Sequence, residues 1–89
     1  MDKRLAKMRR NPRDWRIEEL ETVAARYGFR VRKSGGSHAV FLHDDLEEAL
    51  TVPAHRPIKP VYVRRLVKLI DKLEEEKEEE GNADGDNEN

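Results

Sequence analysis

The segment Ser34-Gly35-Gly36-Ser37 constrains this chain most, because it separates two stretches of strand character. Before it, Phe29-Arg30-Val31-Arg32-Lys33 alternates apolar and basic residues, the period of a strand with one buried face and one wet face. After it comes the largely apolar run His38-Ala39-Val40-Phe41-Leu42-His43. Two adjacent glycines supply the positive φ values of a tight reversal at no steric cost. The chain therefore doubles back here, and His38 falls at the start of the second strand, at the lip of a sheet rather than inside a core.

The flanking patterns set the layers. Ile17, Leu20, Val23, Ala24 and Tyr27 recur at three- and four-residue steps, the spacing of an amphipathic helix. Glu18, Glu19 and Glu21 suit the positive end of its dipole, and Gly28 closes it. A third, shorter strand is expected around residues 49–52, stopping at Pro53. Residues 54–59, with His55 between two prolines, read as an ordered loop. Pro60 suits the first turn of a last helix, whose stripe is Val63, Leu66, Val67, Ile70 and Leu73. The order predicts an α+β domain, α-β-β-β-α: a three-stranded antiparallel sheet with two helices on one face and the other face wet.

Three regions follow. Residues 1–10, with Leu5 and Met8 among basic residues, make a short N-terminal helical extension ended by Asn11-Pro12. Residues 11–76 form the domain. Residues 77–89 make an acidic tail, expected to be disordered because it has almost nothing apolar to bury. Without the tail, roughly 70–75 residues remain, near the lower end of what folds on one core. The absence of cysteine removes disulfides and thiolate metal sites and fits a cytoplasmic protein. The N-terminus is charged rather than signal-like, and no run approaches the ~20 apolar residues of a membrane span.

The formal net charge of −1 conceals an asymmetry. Residues 1–73 carry 17 Lys/Arg against 10 Asp/Glu, a net of +7, whereas residues 74–89 carry one Lys against nine acids, a net of −8. A basic body with an acidic appendage points to a polyanionic partner. Arg30, Arg32 and Lys33 on the first strand, with Arg64, Arg65 and Lys68 on the last helix, are the candidate phosphate contacts. Trp15, Tyr27, Phe29 and Phe41 read as core rather than as stacking platforms.

Asn11-Pro12, Ile17 to Leu20, Gly28-Phe29, Gly36-Ser37-His38, Phe41, Thr51-Val52-Pro53 and the terminal helix together resemble HicA-type toxins of bacterial toxin–antitoxin pairs. The most specific element is Gly-Ser-His after a basic strand, reinforced by Thr-Val-Pro. The resemblance implies a fold like double-stranded RNA-binding domains and a metal-independent endoribonuclease that cleaves mRNA without a cofactor. It also implies a HicB-type antitoxin that blocks the active site in a toxin–antitoxin hetero-oligomer. His38 matches the family's catalytic histidine. Several members carry a glycine before the last helix, where this chain has Lys59-Pro60-Val61-Tyr62, a variant helix start.

The chemistry agrees with that assignment. RNA carries its own nucleophile, the 2′-hydroxyl, and an imidazole, with an ordinary pKa of about 6.5, is suited to take its proton. His38 is the expected general base, Ser37 a group that orients it or meets phosphate, and Gly36 a backbone position for close approach. His43 and His55 invite a metal site with His38. However, five extended residues place His43 about 15 Å away, and no thiolate supports the set. The competing readings are a non-catalytic RNA-binding module and an inactive toxin homologue acting in regulation, because a fold alone does not fix function.

Overall fold

The computed structural model describes residues 2–88, with side chains through residue 78 apart from that of Ser34. The element order is α1 (Lys3–Arg10), α2 (Ile17–Arg26), β1 (Arg30–Ser34), β2 (His38–Leu42), β3 (Leu50–Pro53) and α3 (Pro60–Glu88). The strands form one antiparallel sheet in the order β1-β2-β3. This is the expected α+β architecture, roughly that of double-stranded RNA-binding domains, with one more helix at its start.

Register assigns each strand residue to a face, since directly paired residues of antiparallel strands point the same way. Val31, Phe41 and Leu50 align across the sheet, as do Lys33, Ala39 and Val52. Phe41 and Val52 are fully buried. Against them pack Leu20, Val23 and Ala24 of α2 and Val63, Leu66 and Ile70 of α3, all in one core cluster. Burying each large aliphatic or aromatic side chain stabilises the fold by about 1.5–3 kcal/mol. Both long helices thus cover one face, as the pattern predicts.

The other face stays open. Arg32, Val40 and Thr51 lie across it in one row, and Arg30 pairs with Leu42 in another. At the hairpin end, His38 pairs with Ser34 on one side and Pro53 on the other. Gly35 and Gly36, at φ +61° and +80°, make the reversal.

Local signals hold the helices as the sequence suggests, with additions. Asp2 caps α1, accepting hydrogen bonds from the N–H groups of Arg4 and Leu5. Glu19 reaches back to accept from the Arg16 N–H at the start of α2 (3.0 Å), half of a capping box. The α1 segment is docked rather than loose: Leu5 and Met8 are buried, and Arg9 of α1 pairs with Asp71 of α3. The Trp15 carbonyl accepts from the Ile58 N–H (2.9 Å), tying the loop after β3 to the segment before α2. α3 is helical through Glu88, whereas the sequence reading has residues 77–89 as a disordered tail. The Glu/Lys run at 74–80 favours helix intrinsically. Side chains beyond residue 78 lie outside those described.

Candidate active site

Backbone geometry delivers His38 to the open face. It is the first residue of β2, paired with Ser34 across the glycine turn. Just outside the β2–β3 ladder, the Ala54 N–H donates to the Ser37 carbonyl at 2.9 Å. The Ser37–His38 step is therefore held from both neighbouring strands. A Cβ added at Gly35 or Gly36 would meet nothing within 4 Å, so both glycines serve the positive φ, not packing.

The His38 side chain is exposed, and its Nδ1 lies 3.1 Å from Ser37 Oγ. When Nδ1 carries the ring proton it donates to Ser37, leaving the Nε2 lone pair directed to solvent, the form a general base requires. The contact with Ser37 orients the ring, and the hydroxyl can serve either tautomer, accepting from Nδ1–H or donating to a bare Nδ1.

Around this imidazole, the register brings together Arg32 and Thr51. Each stands two residues from a direct partner of His38 on the same face, a diagonal separation of about 7–8 Å. Arg32 has no ion-pair partner among the described residues, so its guanidinium is available to an anion. Thr51 adds a hydroxyl on the strand opposite. Its place beside His38 comes from register, and the only sequence signal for it is the Thr-Val-Pro run.

The other predicted contacts are distributed differently. Arg30 lies on the same face at the far end and pairs with Asp44 at 3.1 Å. Lys33 belongs to the helix-covered face, where its Nζ lies 3.2 Å from Glu21 of α2. Arg64, Arg65 and Lys68 are exposed on α3, in the layer that covers the opposite side of the sheet from His38. Arg65 lies over the Tyr62 ring, 5.9 Å from its centroid.

His43, at the far end of the hairpin from His38, is structurally committed. Its Nδ1 accepts from the Asp45 N–H at 3.0 Å, so its Nε2 carries the proton and donates to the Tyr27 carbonyl, also at 3.0 Å. The ring packs edge-on against Phe29, with centroids 5.1 Å apart. Neither nitrogen is free for a metal. His55 is exposed in the loop after β3. Among the described residues, no group of three or more His, Asp or Glu is arranged to hold a metal ion, and no helix is long and apolar enough to cross a membrane.

Two helices over one sheet face, with a histidine on the open face at a glycine hairpin, define a small α+β domain related in arrangement to double-stranded RNA-binding domains. The family model described as the HicA toxin of bacterial toxin–antitoxin matches residues 17–71, and the chain belongs to that family. No curated protein and no solved structure matches it. The matched span runs from the first residue of α2 to Asp71 in α3, and so includes the hairpin, His38, Arg32 and Thr51.

Proposed function

We propose that this chain is the ribonuclease toxin of a toxin–antitoxin pair, cutting mRNA by a metal-independent route with His38 as general base. The observation that carries the reading is the Ser37–His38 pair on the open sheet face, inside the family-matched segment. His38 Nε2 takes the proton of a ribose 2′-hydroxyl, and the 2′-oxygen attacks the adjacent phosphorus. The bond from phosphorus to the 5′-oxygen breaks, and that oxygen takes a proton from the imidazolium directly or through water. The products are a 2′,3′-cyclic phosphate and a 5′-hydroxyl.

Charge builds on the non-bridging phosphate oxygens along this path. Arg32 is the side chain placed to meet it, since a guanidinium can donate two parallel hydrogen bonds to a phosphate. Ser37 orients the histidine ring, and Gly36 lets the RNA strand approach the backbone. Arg64, Arg65 and Lys68 act at longer range, through the field that attracts RNA rather than at the reacting phosphate, while Arg30 and Lys33, paired with Asp44 and Glu21, add little to that field.

The family implies the partner: a HicB-type antitoxin that covers the open face in a hetero-oligomer. The domain proper is residues 11–76, with 77–89 an acidic appendage, and the setting is the cytoplasm. Incubating RNA with wild type and His38→Ala, with and without chelator, tests the reading. Chelator-resistant cleavage that the substitution abolishes is the expected result. Binding without cleavage by either protein would assign the chain to the non-catalytic module or inactive regulatory homologue instead.

A further inference from the structure

The positive charge of the body lies mostly outside the family-matched segment. Residues 17–71 carry nine Lys/Arg against eight Asp/Glu, nearly neutral, whereas residues 2–16 carry seven against two. One of those two acids, Asp2, is buried as the α1 cap.

The geometry of α1 turns this excess into a surface. Leu5 and Met8 fix one side of the helix in the core, and the Arg9–Asp71 pair holds it to α3. Lys3, Lys7 and Arg10 fall at i, i+4 and i+7, one stripe on the side away from Leu5 and Met8. All three are exposed and have no ion-pair partner among the described residues. Like charges at this spacing weaken a helix, so their alignment is a cost that the docking of α1 offsets. At its C-terminal end the stripe opens into a groove of about 360 Å³ where Arg13 joins Lys7 and Arg10. Of the two acids there, Asp14 and Glu19, the second already accepts from the Arg16 N–H.

We infer that the Lys3–Lys7–Arg10 face, continued by Arg13, is a second RNA-binding surface that holds the phosphates of single-stranded RNA beyond the family-matched domain. The inference rests on RNA being the substrate. A membrane surface does not fit the same stripe, because the apolar side that would insert is buried against α3. The fold contributes rigidity: a docked helix presents its cations in a fixed line, at a smaller entropy cost on binding than a loose basic tail.

The test uses His38→Ala protein, so that RNA stays intact, and a labelled single-stranded RNA of mixed sequence titrated across a salt series. Replacing Lys3, Lys7 and Arg10 together by Gln should flatten the plot of log affinity against log salt by about 2, near 0.7 for each phosphate no longer neutralised. Affinity at low salt should fall by about tenfold or more. A variant with Lys3→Arg, Lys7→Arg and Arg10→Lys should keep the parental slope, and thermal unfolding should show all three proteins folded. An unchanged slope in the Gln variant overturns the inference. So does unchanged RNA binding with lost retention of a co-expressed antitoxin, which would assign the face to protein. Wild-type cleavage separates the two readings: a flattened slope without any RNA cleavage sustains this surface and removes the ribonuclease, whereas normal cleavage with an unchanged slope removes only this surface.

Discussion

Two histidines bracket β2 and are held in opposite ways. His38 stands on the open face with one nitrogen held by the neighbouring Ser37 and the other directed to solvent. His43 is half-buried, with both nitrogens hydrogen-bonded to backbone and its ring against Phe29. The same side chain is thus left open to solvent at one end of the hairpin, where we propose that it acts on RNA, and is a clasp at the other. What differs is the number of nitrogens left to meet a substrate. Chemistry needs a lone pair that the fold leaves free, and stability is served by engaging both nitrogens.

Substitutions at the two ends should therefore separate activity from stability. The largest effect belongs to His38→Ala. Loss of a general base should lower RNA cleavage by about 10²–10⁴-fold, while thermal or denaturant unfolding stays within about 0.5 kcal/mol of wild type, as for an exposed residue. A large loss of stability with this substitution would break the contrast.

His43→Ala should do the reverse. It removes two hydrogen bonds, each worth about 0.5–1.5 kcal/mol, together with the edge-on packing against Phe29. Urea unfolding should show a destabilisation of about 1–3 kcal/mol, with the cleavage rate per folded molecule retained. Gly28→Ala sharpens the same point from the partner side. Gly28 sits at φ +87°, and an added Cβ would lie 3.1 Å from His43 Nε2. A destabilisation of about 1–2 kcal/mol is expected from the backbone alone, read by the same unfolding curves.

Ser37→Ala tests how far the orientation of the His38 ring matters. Without the Oγ–Nδ1 hydrogen bond, turnover should fall several-fold while RNA binding measured in the His38→Ala background is unaffected by the added change. The smallest effect concerns Tyr27, whose carbonyl receives the His43 bond. Burial, then the carboxylates of Asp2 and Glu74, raise its phenol above the ordinary 10.0. The folded state therefore holds the phenolic proton more tightly than the unfolded chain. Its contribution is fully present below pH 10.0 and is lost as pH rises through the higher folded value. Tyr27→Phe should flatten the alkaline end of a stability–pH curve.

Much of the architecture was legible in residue order. The alternation at Phe29–Lys33, the glycine pair, and the stripes of α2 and α3 each reflect local periodicity, and all appear where expected. His38 was legible for the same reason: a turn places it by counting. What was not legible depends on register and on backbone partners. Lys33 is in phase with Phe29 and Val31, so its face could be counted, but its partner, Glu21 of α2, could not. The separation of Arg64, Arg65 and Lys68 from His38 follows from which sheet face the helices cover. His43 leaves no signature because the groups that hold it are the Tyr27 carbonyl and the Asp45 N–H, backbone groups common to nearly every residue. The docking of α1 rests on only Leu5 and Met8, too few to show a period.

In the proposed reaction the nucleophile is the ribose 2′-hydroxyl, whose proton His38 takes. The most direct measurement uses RNA in which the ribose 5′ to each cleaved phosphate is replaced by its 2′-deoxy form, incubated with wild-type protein beside the unmodified RNA. The expected result is cleavage of the unmodified strand to cyclic-phosphate ends and none of the deoxy-substituted strand at the same positions. Cleavage of the deoxy-substituted strand at those positions would contradict it.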